Sequence, residues 1–165
     1  VSVADLGTGS GAIALALAHE RSCARIKATD ISSDALIIAQ HNATALGITN
    51  VQFDRGPWFE PLAGQCFDMI TANPPYVAIE DADLDTIQTR HEPPLALFAG
   101  TDGLSALRTI IAEAPTHIRP DGYLIVEHGH LQGQAVRDLL CHSGFHSIVT
   151  RNDPADLPRV SIGRR

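Results

Sequence analysis

Strand-like and helix-like segments alternate along the chain, and this alternation constrains the fold more than any other feature. Short apolar runs bounded by turn residues are typical of buried strands, and longer segments without helix breakers are typical of helices packed against them. The pattern predicts seven strands, at residues 1–6, 25–30, 51–54, 67–72 and 123–127, and near 146–151 and 159–163. It predicts helices at residues 12–19, from a cap at Ser32 or Ser33 to about residue 46, at 103–118 and at 132–141.

This order predicts one α/β domain over residues 1–165, with a Rossmann-like, mostly parallel seven-stranded sheet and helices on both faces. Residues 77–100 carry charges, two prolines and no clear period, so we expect a long functional loop there. Ligands of such sheets bind beyond the carboxyl ends of the central strands. The segments after the first, second and fourth strands are therefore the candidate binding loops.

Composition narrows the functional classes. The formal net charge is −7, from 19 acidic and 12 basic residues, whereas a domain that grips nucleic acid by itself usually has a net basic face. Direct nucleic-acid binding is therefore not expected. No apolar run approaches the roughly 20 residues of a membrane span, and no signal peptide is expected. Three scattered cysteines fit a reduced, cytoplasmic setting, and the segment Glu127-His128-Gly129-His130 lacks a third ligand, so no metal site is expected.

A glycine-rich segment follows the first strand and opens a helix: Asp5-Leu6-Gly7-Thr8-Gly9-Ser10-Gly11. Its glycines allow a sharp turn and a close approach of a ligand to the main chain. Asp30 ends the second strand, where a carboxylate can accept both hydroxyls of a ribose. Dinucleotide folds use the same devices, so NAD, S-adenosylmethionine, and a plain turn with a surface aspartate all remain open. The spacing Gly-x-Gly-x-Gly favours S-adenosylmethionine, and Asp5 could reach the cationic end of its methionine portion.

The segment Asn73-Pro74-Pro75-Tyr76 follows the fourth strand directly. An amide or amino nitrogen that is to be methylated has a delocalised lone pair and two hydrogens that must be held. The Asn73 side-chain oxygen can accept one hydrogen and the Pro74 carbonyl the other, while Tyr76 stacks on the planar group. Tandem prolines keep such a segment extended and stiff. The alternative is an Asn-Pro turn that merely ends a strand.

The segments DLGTGSGAIALALA, ATDISSDAL, WFEPLAG, FDMITANPPY, EPPLALFAGTDGL, GYLIVEHG and RVSIGR resemble the HemK/PrmC family of peptide release factor glutamine methyltransferases. The resemblance covers essentially the whole chain, with the family's order and spacing. NPPY alone is shared with adenine amino-methyltransferases of DNA and RNA. An adenine methyltransferase is therefore the second hypothesis, and a non-catalytic nucleotide-binding or NAD-dependent module is the third.

The resemblance implies a class I methyltransferase fold, S-adenosylmethionine as cofactor, S-adenosylhomocysteine as product, and a peptide chain release factor as the protein substrate and partner. It implies cofactor contacts from Asp5, Gly7, Thr8, Gly9, Ser10, Gly11, Asp30, Ile31, Trp58 and Asn73. For Trp58, near the adenine, a core aromatic is the alternative. It implies catalytic roles for Asn73, Pro74 and Tyr76, and substrate contacts from Asn73, Pro74, Pro75, Tyr76 and Glu92.

Three departures from the family pattern affect these expectations. Family members usually begin with a helical domain, so this chain is expected to be a catalytic fragment. Pro57 stands where the family often has aspartate before Trp58. The family's Asp-x-Arg-Phe-Glu-Pro corresponds here to Gln88-Thr89-Arg90-His91-Glu92-Pro93, which keeps the arginine and the glutamate.

Overall fold

Seven strands and four α-helices make up the described part of the chain, which in this computed structural model comprises residues 1–76 and 102–165. The strands are β1 (Ser2–Leu6), β2 (Arg25–Asp30), β3 (Val51–Arg55), β4 (Phe67–Ala72), β5 (Ile118–Glu127), β6 (His146–Asn152) and β7 (Pro158–Arg164). The helices are α1 (Ala12–Glu20), α2 (Ser33–Ala45), α3 (Ser105–Glu113) and α4 (Gly133–His142), with short 3₁₀ turns at Glu60–Leu62 and Ala114–Thr116. The loop expected at 77–100, which includes Glu92, lies outside the described residues.

The strands form one sheet in the order β3-β2-β1-β4-β5-β7-β6. β7 runs antiparallel to both of its neighbours, and the pairs from β3 to β5 are parallel. The expectation of a mostly parallel, seven-stranded Rossmann-like sheet is therefore confirmed. The chain crosses from β1 to β2 on one side and returns to β4 on the other, so the order reverses between β1 and β4. Ligands of open α/β sheets bind at such a reversal.

Alternating side chains of the central strands face two separate apolar layers. Val3 of β1 packs with Ala14 and Ala18 of α1 on one face of the sheet. Ala4 and Leu6 point to the other face, into the larger cluster that includes buried residues of α3 and α4. This period-two alternation places helices on both faces, as the sequence predicts.

Local signals set most of the helix and strand ends. Ser32 caps α2 by accepting a hydrogen bond from the Ala35 amide at 3.2 Å, and Gly47, with φ +67°, follows its end. Apart from α3 and the start of β5, the predicted bounds agree with the observed ones to within a residue.

The predicted helix at 103–118 is wrong over its last turns. α3 ends at Glu113, and Pro115, which has no backbone N–H to continue the helix, lies in the following 3₁₀ turn. β5 begins at Ile118, earlier than the predicted residue 123. Its first half contains Pro120 and Asp121 (φ +66°), and its register against β4 shifts there, so the sequence resembles a turn.

Candidate active site

The glycine-rich segment and the Asn-Pro-Pro-Tyr segment follow neighbouring strands. Leu6 at the end of β1 pairs with Ala72 at the end of β4, so residues 7–11 and 73–76 leave the sheet side by side. Residues 31–32, 56–58 and 128–132 follow β2, β3 and β5 at the same edge of the sheet. The sheet thus gathers most of the residues singled out from the sequence at its reversal point.

The glycine loop adopts a conformation that requires glycine. Gly7, Gly9 and Gly11 have φ of +67°, +57° and +86°, a region that side chains with a Cβ rarely enter. The Thr8 amide donates to the Thr29 carbonyl of β2 at 2.9 Å, which holds the loop against the sheet. A Cβ on Gly9 would meet nothing within 4 Å, so the outer side of the loop is open to a ligand.

Asp30 contacts the backbone of the glycine loop directly. Its Oδ2 accepts from the Gly9 amide and its Oδ1 from the Ser32 amide, both at 2.8 Å. The carboxylate therefore ties the loop after β1 to the loop after β2. Each carboxylate oxygen has a second lone pair, so these bonds leave acceptor capacity for a ligand hydroxyl.

Asp5 lies beneath the glycine loop and is 1% exposed. Its two oxygens accept from the hydroxyls of Thr8 at 2.6 Å and Thr71 at 2.8 Å, so it links β1, the loop and β4. Burial raises the pKa of Asp5, and the hydrogen bonds from the two threonines oppose that shift. The structure places the carboxylate on the inner side of the loop, and its expected contact with a methionine portion stays a prediction.

Trp58 approaches the glycine loop from the segment after β3. A Cβ on Gly7 would lie 3.1 Å from its Cζ3 atom, so the indole covers Gly7 closely. Trp58 has φ +41°, and its carbonyl accepts from the Thr29 hydroxyl at 2.9 Å. The indole also packs partly against the larger apolar cluster, so it is at once a core aromatic and a wall of the loop. The Ile31 side chain, 61% exposed, follows Asp30 at the same sheet edge.

Asn73 and Pro74 occupy different environments at the end of β4. Asn73 is exposed, and its side chain makes no hydrogen bond to another described residue, whereas Pro74 is buried. Within residues 1–76 and 102–165 the exposed amide therefore has no competing partner, and the buried proline anchors the backbone beside it.

Tyr76 is fixed through both its side-chain hydroxyl and its backbone carbonyl. Its hydroxyl donates to Glu127 Oε1 at 3.2 Å, and its carbonyl accepts from Gln132 Nε2 at 3.0 Å. The Arg159 guanidinium lies 6.0 Å from the centre of its ring. Burial, with the Glu127 carboxylate beside it, raises the pKa of Tyr76 above its usual value, so the phenol stays protonated.

A chain of hydrogen bonds fixes the loop after β5. Arg137 donates to the Thr150 hydroxyl at 3.1 Å, Thr150 bonds Ser161 at 2.9 Å, and Ser161 bonds His128 Nε2 at 2.9 Å. His128 Nδ1 lies 2.9 Å from the Gly129 carbonyl and therefore carries the proton. Burial lowers the pKa of His128, so the imidazole is neutral and both of its nitrogens are engaged within the protein.

Three further residues belong to the site without having been predicted there, although all lie in or beside motifs that carry the family resemblance: Glu127, Gln132 and Arg159. They join the site only through long-range contacts with Tyr76. Thr71, which hydrogen-bonds Asp5, was likewise not predicted, because it lies within the apolar sequence of β4.

A cavity of about 470 Å³ lies at the opposite edge of the sheet, where the parallel strands begin, and is lined in part by Arg25, Lys27 and Arg119. Lys27 pairs with Asp54 at 3.0 Å and Arg119 with Asp68 at 2.8 Å. Two of the three cationic side chains that line the cavity therefore already form ion pairs within the protein. This cavity is separate from the glycine loop.

None of the helices in residues 1–76 and 102–165 has the length and apolar character to span a bilayer. These residues also contain no group of three His, Cys, Asp or Glu side chains arranged to hold a metal ion.

Known proteins are similar to this chain over most of its length. Residues 1–152 match the family model described as a methyltransferase domain. The chain is 52% identical over 162 residues to a release factor glutamine methyltransferase of Xylella fastidiosa, covering 98% of this chain and 59% of the relative. It is 43% identical to the Escherichia coli protein of the same name, covering 98% and 58%. The chain thus spans less than two thirds of the length of these relatives, and the family resemblance noted in the sequence is confirmed.

Solved structures support the fold assignment. The ribosomal protein L11 methylase of Lactobacillus delbrueckii subsp. bulgaricus superimposes with a TM-score of 0.71 at 25% identity. The match covers 99% of this chain and 70% of that one. The sheet described above is therefore the Rossmann-like fold of class I methyltransferases.

Proposed function

Because this chain belongs to the methyltransferase domain family, we propose that it transfers the methyl group of S-adenosylmethionine to the side-chain amide nitrogen of a glutamine in a protein. The observation that carries the proposal is the exposed Asn73 amide, which ends β4 directly beside the glycine loop at the reversal point of the sheet. A hydrogen-bond acceptor at that position is what a planar NH₂ group requires.

The residues around the glycine loop fit S-adenosylmethionine. The outer side of the loop is open above Gly9, the Asp30 carboxylate keeps acceptor capacity for ribose hydroxyls, and the Trp58 indole provides an apolar wall for a base. Thr8, Ser10 and Gly11 complete the loop, and Ile31 adds an exposed apolar side chain beside Asp30. When bound, the cofactor supplies a methyl group made electrophilic by the sulfonium, and S-adenosylhomocysteine is the product.

The protein contributes chiefly by orientation. The Asn73 oxygen accepts one hydrogen of the substrate amide and the Pro74 carbonyl accepts the other, so the nitrogen lone pair is directed towards the methyl group. Tyr76 stacks on the amide plane and excludes water. The new carbon–nitrogen bond forms as the carbon–sulfur bond breaks, and the nitrogen then releases one proton to solvent. No strong base is needed beforehand, because the proton leaves easily after methylation.

The substrate we propose is a class I peptide chain release factor, methylated in the cytoplasm. This rests on the names of relatives that are 43% and 52% identical to the chain, and on Asn73, Pro74, Pro75 and Tyr76, which would hold the glutamine amide. The net charge of −7 favours a protein substrate over a nucleic acid.

Mass spectrometry with a deuterated methyl donor tests the proposal. The chain is incubated separately with a release factor, with a peptide containing its glutamine, with the same peptide carrying asparagine instead, and with an adenine-bearing oligonucleotide. We expect label on the glutamine amide only, because asparagine is one methylene shorter and does not reach between Asn73 and Pro74. Label on adenine alone would establish the adenine methyltransferase instead, and no label on any acceptor would refute the proposed activity of this chain.

A further inference from the structure

One side-chain amide joins three backbone segments at the rim of the site. Gln132 lies immediately before α4, and its Oε1 accepts from the Gly129 amide at 2.8 Å. Its Nε2 donates to the Tyr76 carbonyl at 3.0 Å and to the Asp102 carbonyl at 3.4 Å. Gln132 therefore connects the end of the Asn-Pro-Pro-Tyr segment, the start of the chain leading into α3, and the loop after β5.

The junction is packed so closely that only glycine fits beside it. Gly103 has φ +69°, and a Cβ there would lie 2.4 Å from the Tyr76 carbonyl oxygen and 2.7 Å from Gln132 Nε2. Tyr76 and Asp102 are far apart in the sequence, yet both backbone carbonyls converge on the same NH₂ group. A contact this tight transmits displacement, because close-packed atoms cannot give way independently.

The loop after β5, the third segment of the junction, is itself held in place. His128 hydrogen-bonds the Gly129 carbonyl and is fixed in turn by Ser161, while Arg159 lies against the Tyr76 ring. Gln132 thus ties Tyr76 to a rigid part of the fold. Pro74 and Pro75 have restricted φ, so fewer backbone rotations are available to absorb a shift of Tyr76 before it reaches Asn73.

We propose that Gln132 is a positioning residue for methyl transfer: by holding the Tyr76 and Asp102 carbonyls against the loop after β5, it places the Asn73 and Pro74 acceptors at the distance that orients the substrate amide. The proposal rests on the proposed function, since the orientation it describes is that of the methylated nitrogen. It differs from a role in cofactor binding, because the hydrogen bonds of Gln132 within the described residues go to Gly129, Tyr76 and Asp102 and not to the glycine loop or Asp30.

The kinetic test compares Gln132→Met with Gln134→Met. Methionine has nearly the same shape as glutamine without its hydrogen bonds. Gln134 is exposed on the same helix, and its side-chain partners among the described residues are Arg137 and Asp138. We expect Gln132→Met to lower kcat for a glutamine peptide about tenfold or more, because small misplacements of reacting groups have effects of this order. The Kd for S-adenosylhomocysteine should stay within about twofold of wild type. Gln134→Met should match wild type in both quantities.

A spectroscopic readout measures the position of Tyr76 without turnover. The chain has two tyrosines, so Tyr123→Phe with 3-fluorotyrosine incorporation leaves a single fluorine reporter at Tyr76. Burial and Glu127 raise the pKa of this phenol, so loosening the junction at Gln132 should shift its ¹⁹F resonance and lower its pKa in Gln132→Met but not in Gln134→Met. Gln132→Glu serves as a second variant, since it keeps the acceptor for Gly129 and loses both donors.

The outcomes separate the two proposals. An inactive wild-type chain would count against the proposed function. The ¹⁹F comparison would still show whether Gln132 holds Tyr76 in position. Unchanged kcat and unchanged Tyr76 resonance in a folded Gln132 variant would overturn the positioning role. A parallel loss of cofactor affinity and kcat would also overturn it, because that pattern indicates general destabilisation of the site.

Discussion

Replacing Asp30 by alanine should weaken the binding of S-adenosylhomocysteine and loosen the glycine loop at the same time. Asp30 accepts hydrogen bonds from the Gly9 and Ser32 amides, both at 2.8 Å, and has lone pairs left for ribose hydroxyls. The substitution therefore removes an internal tie and the proposed ligand contact together. Folding should be affected less, because the site lies at the surface end of β2 and both amides can turn to water.

The magnitude follows from the number and exposure of these bonds. A hydrogen bond to a charged group contributes about 1.5–3 kcal/mol, and because Asp30 is only half-buried the lower bound extends to about 1 kcal/mol. We expect a loss of about 1–3 kcal/mol in binding free energy, which corresponds to about a 5- to 150-fold increase in Kd. Asp30→Asn should behave similarly, because an amide has one acceptor oxygen and its NH₂ group must then face one of the two backbone amides.

Isothermal titration calorimetry with S-adenosylhomocysteine measures the change, and hydrogen exchange at the Gly9 amide reports on the loop. Asp34→Ala is the matched control. Asp34 is exposed in the first turn of α2, and its substitution removes the same negative charge close to Asp30. The reasoning fails if Asp30→Ala binds the product as tightly as Asp34→Ala does and leaves Gly9 exchange unchanged.

Three further changes test other parts of the site. Asn73→Ala should lower turnover on a glutamine peptide roughly 100- to 1000-fold with little change in Tm, because an exposed acceptor is lost; near-normal turnover would make the segment a simple strand-ending turn. Gly47→Ala should lower the unfolding free energy by about 1 kcal/mol, because of its left-handed backbone alone. Gly103→Ala should lower it clearly more, because its Cβ would also strike the Tyr76 carbonyl. Equal losses in urea titrations would contradict the close packing at the Gln132 junction. The buried His128 has its pKa lowered in the folded state, so the unfolded chain takes up the proton first and stability should fall as the pH drops below about 6.5. Urea titrations at several pH values should show a shallower fall for His128→Gln, and an unchanged slope would mean that His128 does not titrate on unfolding.

The sequence by itself determined the elements whose signals are local. The glycine loop, the Ser32 cap, the apolar strands and the Asn-Pro-Pro-Tyr segment are each specified within about a dozen residues, because turns, caps and periodicity depend on near neighbours. Two elements differ from the prediction, the helix expected at 103–118 and the strand expected at 123–127, and they show the limit of that reasoning. Pro115 ended the helix early, and an irregular strand start around Pro120 and Asp121 resembled a turn.

The tertiary structure alone decided which of these local features meet. The order of the strands, the insertion of β7 antiparallel between β5 and β6, and the burial of Asp5 against Thr71 depend on contacts between distant segments. The junction at Gln132 is the clearest case, since Gln132 hydrogen-bonds Tyr76 across a sequence separation of 56 residues. A glutamine side chain has no local pattern that identifies its partner. Its role exists only because the packing of β4, β5 and α4 brings an amide, two carbonyls and a glycine into one place.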